Sequence, residues 1–432
     1  MESNTQQQSK GSVETRTLSR VRPEERQSTA SIAFIWIGGV ISIPMLMVGA
    51  ILGTGLSLGM VVIVTLVAFA VQVFLMTLNG IQASDTGYPL AILLGKTFGE
   101  VGSRYLTSAL VGLMQIGWFA IQTAVCGSAF SSLLTTLGLP IPVWISSILW
   151  GVIMLVTAVY GFGWMKILNY LSVPLLVIAC TIATIMAGNE YGFAAIASYQ
   201  PENSMGFIPA LAIMIGVFAS GTITVCDLTR YAKSRKATTL SSIFGIVPAA
   251  LMMTTMGAIM GIAANTGDVT EVFVKLGMPV LGVVALVLAT WTTNTTNAYT
   301  AGISLTRLFN LPDNKRPMIT AIAGAVGILL ATLGIANNFD VVMNILATLI
   351  PPIAGIMVAD YWIIGKGKKE NWGIIKGVNY IGVISWAFGS LIGFIVPIFS
   401  PSFNSIVVGM ITYLVLYALV GKKLPKAVDP EA

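Results

Sequence analysis

Apolar runs follow one another along nearly the whole chain, parted by short polar connections, and this coarse alternation is the dominant signal in the sequence. A helix needs about 20 apolar residues to cross a hydrocarbon layer about 30 Å thick. Twelve such runs can be placed, approximately at 30–52, 57–80, 105–132, 142–160, 167–188, 206–226, 240–263, 278–300, 318–336, 341–363, 378–399 and 404–420. Only helices and closed barrels satisfy their backbone groups in lipid, and these runs are far longer than the roughly 9–11 residues of a barrel strand. The pattern predicts an all-α integral membrane protein with 12 transmembrane helices over residues 30–420. Residues 1–29 are polar and lack the apolar core and small-residue cleavage site of a signal peptide, so they are expected to form a flexible cytoplasmic tail, with a second tail at 421–432.

Composition removes the competing classes. Of 432 residues 56% are hydrophobic and 9% are charged, against about 25% charge in an average soluble domain. A water-soluble enzyme, a disordered chain and a nucleic-acid-binding protein are thereby excluded. With no His present, His-dependent triads, His metal ligands and imidazole relays are excluded too. Cys126, Cys180 and Cys226 each sit inside an apolar run, without a CxxC pair, and read as small packing residues.

The placement of charge sets orientation. With the N-terminus in the cytoplasm, all but one of the 23 Lys and Arg fall in the tails or in inside connections, and only Lys275 falls outside. The basic excess is therefore topological and needs no nucleic-acid partner. Glu190, Glu202, Asp268, Glu271 and Asp340 fall in outside connections, while Asp227 and Asp360 sit at cytoplasmic helix ends. No charged residue lies near the middle of any span, and because an intramembrane charge is the usual mark of a relay or counter-ion, the molecule recognised there is expected to be neutral.

Four spans carry polar or helix-breaking residues at their centres. The first reads Gly38-Gly39-Val40-Ile41-Ser42-Ile43-Pro44, and the sixth reads Gly216-Val217-Phe218-Ala219-Ser220-Gly221-Thr222. A kink at Pro44 or a small-residue packing face at 216–222 would account for each alone. Spans one and six, however, occupy matching places in two five-helix halves, and paired interruptions of this kind point to the binding site of an inverted-repeat transporter. The third span places Gln115 and Trp118 at i, i+3 on one face near its midpoint, with Gln122 beyond them. An unpaired amide there costs several kcal/mol, on the order of 2–7, so the pair suggests a flat hydrogen-bonding wall. The eighth span carries Thr290-Trp291-Thr292-Thr293-Asn294-Thr295-Thr296-Asn297. Hydroxyls that bond back to their own helix explain one or two of these residues. The rest suggest oxygen ligands for a hard cation, and thus a sodium site between spans one and eight.

These residues bring the chain to a known family. It resembles the nucleobase-cation-symport-1 transporters, and within them the bacterial cytosine permeases, from the first span to the twelfth. The resemblance rests on Leu52-Gly53-Thr54-Gly55-Leu56-Ser57, Gln115-Ile116-Gly117-Trp118-Phe119, Ser220-Gly221-Thr222 with Asp227 and Arg230, Trp291-Thr292-Thr293-Asn294, Asn337-Asn338-Phe339, Ile350-Pro351-Pro352 and Ala359-Asp360-Tyr361. It implies a LeuT-type five-plus-five inverted repeat, with repeat one at about 30–188, repeat two at about 206–363 and two further helices at about 378–420. It also implies a heterocycle stacked between Trp118 and Phe218, hydrogen-bonded by Gln115, Ser220 and backbone at Gly221, with Asn294 in reach. Sodium would be held by Thr292 and Thr293 with main-chain carbonyls near Gly38 and Ser42. The chain departs from those permeases at Thr295, where they carry an acidic residue.

The resulting expectation is a sodium-coupled importer of a neutral nucleobase, cytosine first, in the inner (plasma) membrane with both termini cytoplasmic. The alternative is another neutral heterocycle, such as a hydroxymethylpyrimidine, a purine, uracil or a hydantoin, with either sodium or protons as the coupling ion. No organic cofactor, catalytic residue or obligate protein partner is expected. A membrane-embedded enzyme would need clustered Asp or a nucleophile-base pair, and a channel a repeated pore motif; neither is visible.

Overall fold

The computed structural model describes residues 18–430 apart from 268, 276, 278, 339, 340, 343, 344, 346, 347 and 397. The first part of the expected N-terminal tail, Asp268, Asp340, Phe339 and part of the run at 341–363 lie outside the described residues, as does the side chain of Lys166. The principal helices are α1 (Thr29–Val40), α2 (Ile43–Gly55), α3 (Leu58–Thr86), α4 (Leu90–Thr97), α5 (Ser108–Thr136), α6 (Val143–Tyr160), α7 (Phe162–Tyr191), α8 (Phe207–Phe218), α9 (Gly221–Thr229), α10 (Arg235–Ala264), α11 (Val269–Lys275), α12 (Pro279–Leu308), α13 (Arg316–Thr332), α14 (Pro351–Val358), α15 (Tyr380–Ile395) and α16 (Pro401–Val420). Among the described residues extended backbone pairs only in two isolated bridges, Gln27 with Ala232 and Ile374 with Val428.

Every predicted run overlaps a helix. By length and composition, eight helices among the described residues can cross a membrane, or nine if the bent pair α1 and α2 is one span, and Pro351–Ile364 and Tyr380–Ile395 are shorter apolar helices. Large side chains such as Phe74, Leu113, Ile167 and Leu333 are more than 60% exposed, as an outer surface facing lipid requires. Helices α3 and α10 extend past their apolar runs and are capped at their ends. Ser57 accepts the Met60 amide at the start of α3, Ser234 accepts that of Ala237 at the start of α10, and Gly87 ends α3 in the left-handed region at φ 79°.

Two GxxxG pairs lock α2 against α10. A Cβ on Gly49 or Gly53 would meet the carbonyl oxygens of Thr254 and Ala258 at 2.3 and 2.7 Å, and one on Gly257 or Gly261 would meet those of Leu46 and Ala50 at 2.1 and 2.5 Å. Backbones this close leave no room for side chains, which is how helices associate where no hydrophobic effect separates them from lipid. The second half of the first span is thus fixed to a neighbour.

From residue 18 onward the expected tail is folded onto one end of the bundle. Val21 donates to Gly87 O at 2.9 Å, Gln27 to Tyr231 O at 2.6 Å, and Leu18 to Asp313 Oδ2 at 2.9 Å. The C-terminal segment joins it there: Arg20 pairs with Asp429, whose Oδ1 accepts the Tyr88 hydroxyl at 2.9 Å, while the Arg20 guanidinium lies 4.8 Å over the Tyr88 ring.

Candidate functional site

The first span breaks just before Pro44, where Gly38, Gly39 and Ser42 add to the effect of the proline, whereas Pro174 and Pro248 are carried inside continuous helices. Proline lacks an N–H, and its ring would collide with the carbonyl four residues earlier. The helix therefore stops at Val40, Ser42 becomes extended (φ −145°, ψ 156°) with Pro44 near the start of α2, and the two halves meet at 54°. Carbonyls ending α1 and amides starting α2 lose their helical partners.

The sixth span behaves differently from the expectation of a matching interruption. Ala219 and Ser220 remain in the right-handed helical region, and the chain tightens through i→i+3 bonds, Thr222 N to Ala219 O at 3.2 Å and Ile223 N to Ser220 O at 3.2 Å. Without a proline, small residues accept a tighter turn instead of a break. The Thr222 hydroxyl adds a bond to Ala219 O at 2.6 Å, and Asn79 donates across to Thr222 O at 2.9 Å.

These segments enclose a cavity of about 140 Å³, roughly ten times the space that one water needs. Its walls come from the four spans singled out in the sequence. Eight of the ten predicted site residues line it: Ser42, Gln115, Trp118, Phe218, Ser220, Gly221, Thr292 and Thr293. Gln115 and Trp118 are 4% and 7% exposed. The Gln115 carboxamide makes no hydrogen bond to any described residue while facing the cavity, so its hydrogen-bonding capacity is turned toward whatever fills that space. The Phe218 ring lies tilted against Phe69, with centroids 5.8 Å apart, and directly over Gly221, where a Cβ would come within 2.7 Å of the ring. Gly221 thus lets the ring reach the cavity.

On α12 the hydroxyls of Thr292 and Thr293 bond back to Ala289 O at 2.9 and 2.8 Å. This back-bonding fixes each hydroxyl hydrogen and leaves the oxygen lone pairs available as acceptors. Both residues line the same cavity as Ser42, and α12 touches both halves of the first span. No group of three His, Cys, Asp or Glu that could hold a metal occurs among the described residues, so oxygen ligands from Thr and main chain fit sodium better than a transition metal.

Gly38 and Asn294 are not among the lining residues. Asn294 is fully buried, its Nδ2 donating to Phe119 O and Thr123 Oγ1 at 3.0 Å each, and its Oδ1 accepting from Asn297 Nδ2 at 3.2 Å. It joins helices and orients Asn297, which does line the cavity together with Thr296 and Thr300. The helical period shows why: Thr296, Asn297 and Thr300 follow Thr293 at i+3, i+4 and i+7, whereas Asn294 is turned about 100° off that face. Thr295 is buried, bonds to Thr292 O at 2.9 Å, and stays off the cavity wall, so the departure from the cytosine permeases does not touch the space itself.

Sequence reasoning also missed Asp227. Near a helix end, it lines the cavity with Leu228 and Tyr231 while its Oδ1 accepts the Leu90 amide at 2.9 Å. Its position six residues after Gly221, on the short α9, was the available signal.

Comparison with known proteins follows the same outline. A family model described as permease for cytosine/purines, uracil, thiamine and allantoin matches residues 20–421. The cytosine permease of Escherichia coli (strain K12) is 25% identical over 405 residues, covering 93% of this chain and 94% of that protein. Among solved structures, Mhp1, a nucleobase-cation-symport-1 family transporter in a closed conformation with bromovinylhydantoin bound, shares the fold at a TM-score of 0.83 with 20% identity, covering 97% of this chain and 98% of that one. A substrate-bound, outward-open Na+-coupled sialic acid symporter follows at a TM-score of 0.69 with 12% identity, covering 93% and 91%.

Proposed function

The chain belongs to the family of permeases for cytosine/purines, uracil, thiamine and allantoin, and we propose that within it this protein imports a neutral nucleobase, cytosine first, coupled to sodium by alternating access. It is a nucleobase-type transporter and not an enzyme. The observation that carries the finer reading is the cavity wall itself, where Trp118 and Phe218 offer aromatic faces and Gln115 an unpaired amide, without a cationic lining residue. Stacking contributes about 1–3 kcal/mol per base but barely tells one ring from another. Selectivity then falls to Gln115, Ser220, the backbone at Gly221 and Asn297, which takes the place expected for Asn294. Thr292 and Thr293, with Ser42 and the carbonyls freed at the end of α1, are the proposed sodium ligands. One cation moving down 100 mV supplies about 2.3 kcal/mol, enough for roughly fifty-fold accumulation.

The proposed frame is a pair of inverted five-helix halves with two further helices, making twelve crossings of the inner membrane with both chain ends inside. The one-sided distribution of Lys and Arg supports that orientation. The coincidence of the first- and sixth-span irregularities at one cavity supports the repeat.

Labelled cytosine uptake into proteoliposomes tests this reading. A sodium gradient at equal pH is expected to drive accumulation, and unlabelled cytosine to compete better than uracil, hypoxanthine or hydantoin. Uptake insensitive to every heterocycle would overturn it. Asp227 favours a second reading, proton coupling, since it is the carboxylate among the lining residues. Under sodium coupling Asp227→Asn keeps sodium-driven uptake; under proton coupling a pH gradient drives the wild type and the variant loses that drive.

A further inference from the structure

A second hollow, about 730 Å³, opens at the end of the bundle where the basic connections gather. Four segments distant in sequence build it: the stretch before α1, the end of α3, the start of α10 and the turn at 366–370. Arg26, Lys233, Arg235, Lys366, Lys368 and Lys369 line it, against two carboxylates, Asp85 and Glu370. Asp85 is already committed, since Arg235 grips it with Nε at 3.0 Å and a terminal nitrogen at 2.6 Å and the Tyr361 hydroxyl donates to it. Arg26 donates to the carbonyls of Ser84 and Ala232 at 2.6 Å each. Those neutral acceptors aim the guanidinium without cancelling its charge, and burial lowers its pKa from the ordinary value despite the pull of Asp85. Among the described residues no ion pair reaches Lys233, Lys366, Lys368 or Lys369.

The positive-inside bias explains lysines at this end of the molecule, but it spreads them over every connection. It does not explain why six cations converge on one hollow while Lys422, Lys423 and Lys426 stay out of its lining. The amino end of the 30-residue α10, capped by Ser234, opens into the same space and adds a partial positive charge of about half a unit. We propose that this hollow is a binding site for a phosphate-bearing anion, held by Arg26, Lys233, Lys368 and Lys369. Phosphate groups of this chemistry come from the headgroup of an anionic phospholipid or from a soluble phosphate. Because the lining spans four segments, an occupant ties together the chain before α1, α3, α10 and the turn after α14.

Thermal unfolding of the full chain in neutral detergent tests the site. Phosphatidylglycerol, phosphatidylcholine and inorganic phosphate are titrated separately at constant ionic strength. The variant Lys233→Gln/Lys368→Gln/Lys369→Gln is compared with Lys422→Gln/Lys423→Gln/Lys426→Gln, which removes equal charge outside the hollow. A saturable rise in Tm with phosphatidylglycerol but not phosphatidylcholine is expected. Half-saturation should move at least tenfold in the first variant, remain unchanged in the second, and return when the same three lysines are changed to Arg. The same behaviour with inorganic phosphate alone assigns the occupant to the soluble source. Equal responses in both variants, or no saturable response to either anion, overturn the proposal.

Discussion

Replacing Gln115 with Leu separates a binding wall from a packing wall. The Gln115 side chain is buried at 4% exposure, lines the central cavity and has no described partner. A buried amide left unpaired costs about 1–3 kcal/mol, toward the lower end where water can reach it. Leu has a similar volume and no polar atoms, so the empty protein should unfold at an unchanged or higher temperature. Ligand binding should move the other way. Losing the amide strands the complementary group on the base, again about 1–3 kcal/mol, which at 1.4 kcal/mol per decade is roughly a 5- to 150-fold rise in Kd. The measurement pairs the Tm of purified protein without ligand with cytosine affinity from a scintillation proximity assay. If the variant kept its affinity within twofold, or lost Tm as a core substitution does, the amide would be a packing element and the argument would fail.

Three further outcomes follow from the same cavity. Trp118→Ala should insert and fold but bind cytosine about 5- to 150-fold more weakly, in line with about 1–3 kcal/mol for stacking; equilibrium binding checks this, and wild-type affinity defeats the stacking role. Thr293→Val keeps the shape of the side chain and removes its oxygen, so the sodium concentration for half-maximal stimulation of uptake should rise at least tenfold while sodium-free binding of the base changes little. Gly221→Ala sets a methyl within 2.7 Å of the Phe218 ring, and the displaced ring should lower affinity at least threefold with little change in Tm; equal affinity would show that Phe218 does not face the ligand.

The helices and the break in the first span were legible because their causes are local. A run of apolar residues has one stable backbone in lipid, and Pro44 following Gly38, Gly39 and Ser42 marks a weak point within a few residues, whereas Pro174 and Pro248 lie inside continuous helices. The sixth span was not legible in the same way. Ala219, Ser220 and Gly221 accept either an unwound or a tightened backbone, and the choice is made by neighbours such as Asn79 that no local pattern reveals. Asn294 shows a related limit. Its polarity marked it, but facing Phe119 and Thr123 across a helix contact gave it another use, and only the helical period pointed to Asn297 instead. Asp227 was passed over because a carboxylate near a helix end reads as a solvated cap, and its closeness to Gly221 in the chain was the one signal against that reading. The fold of residues 18–28 against the bundle depends on partners more than 50 residues away, as with Arg26 and Ser84, and a polar segment carries no trace of such partners.

The pair between Arg20 and Asp429, with side chains 38% and 31% exposed, stitches the segment before α1 to the segment after α16 over Tyr88. A contact this open to solvent weakens as dissolved ions accumulate, the screening length being only about 8 Å at 0.15 M. Rising salt around that end of the bundle therefore slackens the stitch.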